Sequence, residues 1–185
     1  MPRLWNSRCS KNSKTSESIM DKLTHFSESG RARMVDVSEK SSTQRIAIAS
    51  GILRMQIATL ERIRTGQIAK GDVLTVADVG AVMAAKHTPD IIPMCHGIAL
   101  SGVEVEFSEI LEPDERGCVG IKVVTTATSV GQTGVEMEAL TAANVALLTI
   151  YDMCKAIDRG MRIEYVQLEE KRGGKSGVWK RGDGK

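Results

Sequence analysis

Aromatic residues are scarce: two Trp, two Tyr and two Phe make up 3% of the 185 residues. A core without rings must be assembled from Ala, Val, Ile, Leu and nine Met. An RNA-binding sheet, which stacks bases on aromatic side chains, would have only Phe107 and Tyr165 to offer on its candidate strands. Cysteine is sparse as well. Cys9, Cys95, Cys118 and Cys154 are widely spaced with no C-x-x-C pair, a pattern of reduced thiols in a cytosolic protein rather than a disulfide framework or a zinc site. No apolar run approaches the roughly 18 residues of a membrane helix. The N-terminus carries basic residues and Ser but no apolar h-region, which excludes a secretory signal. The chain therefore reads as cytoplasmic, with no membrane partner.

What remains is ordinary for a globular protein: 42% apolar, 26% charged, and long enough for one domain with a real core. The net charge of +2 conceals an uneven distribution. Residues 1–33 carry seven basic side chains against three acidic, and 171–185 carry six against one. The body between them has 12 basic and 19 acidic residues. An acidic body with basic ends argues against a nucleic-acid surface. Residues 1–19, with five Ser and four basic residues, read as a disordered extension. Residues 20–170 read as a single domain, and 171–185 as a flexible, basic, Gly-rich segment.

Periodicity supplies the elements. Thr43–Met55 is a β-branched strand with an irregularity at Gly51, and Ile57–Ile63 a short helix closed by Thr65-Gly66. Asp72 caps a second helix that runs to about Lys86. Thr88–His96, with two of the four Pro, cannot continue it and reads as an extended loop suited to presenting backbone groups to a ligand. Ile98–Ile110 alternates as a half-buried strand, and Cys118–Val130 returns as its hairpin partner across Pro113–Gly117. Thr133–Gly160 is a long helix, with Thr133 as N-cap, Glu136 completing a capping box, and Gly160 in the left-handed position that ends it. Met161–Leu168 is the last alternating strand. This order is that of an α+β, ferredoxin-like split βαβ fold, an antiparallel sheet with helices packed on one face.

The long helix carries charges that need an explanation. Asp152 and Lys155 are spaced i, i+3 and share a face. The bland reading is a surface ion pair worth a few tenths of a kcal/mol. In a partly buried site the same pair supplies a carboxylate and an ammonium tuned for proton transfer. At 100° per residue, Glu138 lies about 40° from the azimuth of Asp152, whereas Glu136 lies roughly 160° away. Glu136 is accounted for as the capping acid; Glu138 is not, which makes it the better functional candidate. His96, one of three His, is by itself more often structural than catalytic, and Cys95 beside it cannot easily share a metal with it. Gly173-Gly174-Lys175-Ser176 suggests a phosphate loop, but the motif needs Gly where Glu169 stands, and no helix follows.

Five blocks carry a family signature: MVDVSEK (34–40), KGDVL (70–74), AAKHTPDIIPMCH (84–96), TGVEMEALTAANVALLTIYDMCKA (133–156) and KRGGKSG (171–177). Together they closely resemble the cyclic pyranopterin monophosphate synthase family, the MoaC proteins of molybdenum cofactor biosynthesis, over roughly residues 20–178. The resemblance implies a lyase that converts 3′,8-cyclo-7,8-dihydro-GTP, made from GTP by an upstream radical cyclase, into cyclic pyranopterin monophosphate with release of pyrophosphate. It implies a ferredoxin-like homohexamer, a trimer of dimers with active sites at the dimer interface. By motif, Asp152 becomes the catalytic acid/base, Lys155 its partner, and Lys70 a catalytic or phosphate-binding lysine. Met94, Cys95, His96, Met137 and Glu138 would bind substrate, with Lys171 and Lys175 as further candidates. No cofactor or protein-bound metal is required, and Mg2+ can accompany the phosphates.

One departure matters. Family members often have Pro after the loop His; here Gly97 follows His96, and Gly leaves that backbone less constrained. The helix geometry adds an expectation of its own. Glu138 and Asp152 lie about 21 Å apart along the axis at 1.5 Å per residue, too far to serve one reacting centre in one chain. A two-fold axis that sets the Glu138 end of one copy against the Asp152 end of another would bring them together. A nucleotide-binding regulator without turnover and a structural subunit of the same pathway are the enzyme-free alternatives.

Overall fold

The computed structural model describes residue 34 and residues 36–183. The expectations for residues 1–19 and for Cys9 lie outside the described residues. Residues 37–183 belong to one compact unit.

Five strands make one antiparallel sheet in the order β2-β3-β1-β4-β5. These are β1 (Thr43–Met55), β2 (Leu100–Ile110), β3 (Val119–Gly131), β4 (Arg162–Arg172) and β5 (Trp179–Lys180). The helices are α1 (Ile57–Arg64), α2 (Val73–Lys86), the single turn α3 (Thr88–Ile91), and α4 (Glu136–Cys154). The connection from β1 through the helices to β2 leaves a gap in the sheet, and β3 fills it.

The shortage of aromatics decides how the layers meet. Ala77, Ala81, Ala84 and Ala85 of α2 and Ala139, Ala142, Ala143 and Ala146 of α4 are all buried, so the two helices approach closely. At Gly80 an added Cβ would come 3.0 Å from Thr149 Oγ1. α4 seats on the sheet over Ala47, Ala49, Leu53, Ile121, Val123 and Ala127, all essentially inaccessible to solvent. Gly51 is required there for space: a Cβ would meet Leu147 Cδ1 at 2.8 Å and Tyr165 O at 2.9 Å. The irregularity expected at Gly51 is displaced. Pairing of β1 with β3 runs unbroken, and the register shifts against β4 fall at Ile48/Ala49 and Ile52/Leu53.

Several boundaries depart from the sequence reading. The long helix is Glu136–Cys154, not Thr133–Gly160. Its N-cap is Val135, with no side-chain cap, so the Thr133–Glu136 capping box does not form. The Glu136 carboxylate folds back over Gly134 and meets Lys171 Nζ at 3.3 Å, which removes it from the capping geometry. Gly160 does not adopt a positive φ. The helix ends early because Asp158 draws the chain off the axis. Its carboxylate is 3% exposed and accepts from Gly160 N, and also from Gln56 N (2.9 Å) and Thr59 Oγ1 (3.1 Å) at the start of α1. Thr88–His96 is not wholly extended, since Pro89 sits in the first turn of α3. The last alternating strand runs on through Arg172, and Trp179–Lys180 adds a fifth strand within the basic C-terminal stretch.

Candidate active site

Lys70 precedes Gly71, which takes φ +100° in the turn that delivers the chain to the Asp72 cap. Asp72 Oδ1 accepts from Leu74 N and Thr75 N, each at 3.1 Å, so the position of Lys70 is set by the start of α2. Its ammonium reaches the C-terminal end of α4. There it donates to Asp152 Oδ2 at 2.8 Å and to the Asp152 backbone carbonyl at 2.9 Å. Lys155 Nζ donates to Asp152 Oδ1 at 2.5 Å. The i, i+3 pair is thus a triad whose third member comes from 82 residues away. Hydrogen bonds from Lys155 and then Lys70 hold the Asp152 carboxyl down to about 2, and Asp152 in turn raises Lys155. All three side chains are about half exposed, so the cluster faces outward.

The other end of α4 has the opposite character. Glu138 is 2% exposed, and its Oε1 has no hydrogen-bond partner. Burial pushes its carboxyl upward, the charge of Glu136 adds to this, and a bond from its own backbone N–H opposes it. Cys95 lies within electrostatic reach: burial first, then the Glu138 charge, pushes the thiol up. His96 and Gly97 line a cavity of about 270 Å³ with Ser129–Thr133. Met94 is exposed and Met137 half-buried. Lys171 is held by Glu136, while Lys175 borders a cavity of about 640 Å³ together with Lys40, Arg45 and Thr133.

Eight of the ten site candidates therefore fall into two groups at opposite ends of α4. Lys70, Asp152 and Lys155 converge; Cys95, His96, Glu138, Lys171 and Lys175 lie around the other end. Within one chain the two groups do not meet. Arg45 joins the second group with no sequence signal to single it out. Its guanidinium donates to Gly131 O (3.1 Å) and Gln132 O (3.2 Å), and nothing separates it in the sequence from the other basic residues. Among the described residues no three His, Cys, Asp or Glu side chains converge as a metal site would need, and no helix is long and apolar enough to cross a membrane. The three described cysteines are unpaired.

Residues 34–174, which hold every site candidate except Lys175, match the model of the MoaC family. The chain belongs to the MoaC family. Curated relatives agree over most of their length. The chain is 60% identical over 161 residues to the cyclic pyranopterin monophosphate synthase of Desulfitobacterium hafniense, covering 87% of this chain and 95% of that protein. It is 55% identical to the Novosphingobium aromaticivorans protein of the same name, over 87% and 98% respectively. The Clostridium acetobutylicum synthase is 56% identical over 159 residues, 86% of this chain and 96% of that one. This MoaC-family chain is accordingly an enzyme of molybdenum cofactor biosynthesis, with an α+β fold.

Proposed function

We propose that this enzyme converts 3′,8-cyclo-7,8-dihydro-GTP into cyclic pyranopterin monophosphate with release of pyrophosphate, at a site built by two copies of the chain. The observation that carries the reading is the convergence of Lys70 and Lys155 on Asp152. An Asp held down to about 2 is a carboxylate at neutral pH, able to accept a proton and to fix two ammonium groups. The lysines are the groups that can donate a proton and stabilise charge that develops on departing pyrophosphate. Glu138, buried with a free acceptor, suits an N–H of the purine-derived ring, with Met94, Cys95, His96 and Met137 around it. Lys171 and Lys175 suit the phosphates.

A two-fold pairing of α4 would join the two groups into one site. Exposed apolar side chains on the helical layer, Val76, Val79 and Met83 of α2 and Leu148 of α4, give such a pairing a surface to cover. Three pairs would make the homohexamer. Mg2+ would enter only on the substrate's phosphates. The enzyme would work in the cytoplasm, downstream of a radical cyclase acting on GTP, without a nucleic-acid partner.

The test supplies the cyclised GTP intermediate and measures pyrophosphate release. The wild-type chain turns over, and Asp152→Asn or Lys155→Ala loses about 10²–10⁴-fold in kcat. Full rate in either variant removes that residue from the mechanism. Binding by the wild type without release overturns the enzymatic reading.

A further inference from the structure

Lys175 sits in the turn between β4 and β5, and that turn is fastened at both ends. At its start Gly173 and Gly174 take φ +98° and +74°. A Cβ on Gly173 would come 2.1 Å from Gln44 O, and one on Gly174 1.9 Å from Arg45 Nη1. The backbone is thus pressed against the beginning of β1, where the Arg45 guanidinium also holds the 131–132 carbonyls. At its far end Trp179 pairs with Lys171 and Lys180 with Glu170. Arg181 N donates to Glu169 O at 2.8 Å, and its Nε donates to Leu168 O at 2.8 Å. The same Nε lies 3.5 Å from the Glu169 carboxylate, and the guanidinium stands 5.9 Å from the centre of the Trp179 ring. Glu169 is the extra residue of the β4 bulge and accepts from Ser50 Oγ, on a side chain wholly buried in β1.

Between these anchors Lys175 and Ser176 are exposed, beside a cavity of about 640 Å³ that also has Lys40, Arg45 and Thr133 in its wall. A lysine on a free Gly-rich tail would have to be ordered each time it met an anion, and the entropy lost would subtract from affinity. We propose that the C-terminal strand is a clasp: Trp179 and Arg181 hold the 173–178 turn in a preset shape, so that Lys175 is presented to the substrate's phosphates without that ordering. Trp179 and Arg181 are positioning residues that act through Lys175. The proposal rests on Lys175 as a phosphate-binding lysine, and its test separates the two.

KM and kcat for pyrophosphate release, and the Kd for inorganic pyrophosphate by calorimetry, are measured on Lys175→Ala, Trp179→Ala, Arg181→Ala and a chain ended after Val178. Each clasp variant should raise KM and Kd about tenfold with kcat and Tm at wild-type values, because a two-residue edge strand adds little to the core. Adding Arg181→Ala to Lys175→Ala should bring no further loss, since both act through one contact. Clasp variants with wild-type KM, beside a Lys175→Ala that raises it, would overturn the clasp and leave the lysine in place. A silent Lys175→Ala would overturn the lysine reading and the clasp with it. An additive loss in the double variant would also overturn the clasp.

Discussion

Asp152 and Glu138 are carboxylates on one helix whose surroundings push them in opposite directions. Asp152, half exposed between two ammonium groups, stays ionised down to about 2. Its folded value lies below its unfolded one, so its ion pairs stabilise the fold above the ordinary value of 3.8 and are lost as pH falls through about 2. Exposure and salt keep that contribution small. Glu138 has the reverse sign. Its folded value lies above the ordinary 4.5, so ionising it costs stability, and the cost sets in as pH rises past 4.5. Glu138→Gln should therefore raise the Tm of the substrate-free protein near neutral pH, by the equivalent of about 1–3 kcal/mol, while weakening substrate binding. Below the ordinary carboxyl value the gain should vanish. Thermal melts across that pH range check it. An unchanged Tm at neutral pH would mean that Glu138 already has a donor in the free protein.

At the scale of elements, α4 owes its seat to small residues. Gly51 lies beneath it where a methyl group would meet Leu147 and the Tyr165 carbonyl. Gly51→Ala should destabilise by about 1–3 kcal/mol through overpacking, seen as a lower urea midpoint at unchanged m-value. A neutral result would mean that the layers can separate at no cost. The sequence was most legible where a local signal sufficed. The β-branched run gave β1 to the residue, and the Asp72 cap gave the start of α2, because cap chemistry and alternation act within a few residues. It misled where distant groups decide. The ends of α4 looked set by Thr133 and Gly160. Yet Lys171 takes Glu136 out of the capping geometry, and Asp158 bends the exit toward α1 over a separation of about 100 residues. Lys70 could be named only from the family motif, since periodicity says nothing about a lysine reaching an Asp from 82 residues away. Arg45 and β5 carried no local signal at all.

For the whole molecule, the proposed two-chain site turns on a separation within one chain. Lys70, Asp152 and Lys155 lie at one end of α4 and Glu138 at the other, about 21 Å along the axis. An isologous pair would place the end of one helix against the start of its partner, so that each site would draw on both chains. That arrangement would account for the outward-facing lysines, for the unpartnered Glu138 oxygen, and for the exposed Val76, Val79, Met83 and Leu148. Subunit complementation tests it most directly. Asp152→Asn and Glu138→Gln are each prepared, mixed in equal amounts under conditions that exchange subunits, and assayed for pyrophosphate release at a substrate concentration where each alone is inactive. In a shared site both lesions fall on the same side of each mixed pair and leave its other site intact, so the mixture should regain about a quarter of wild-type activity. A mixture as inactive as its components, with exchange verified, would place both residues in a site within one chain and contradict the account.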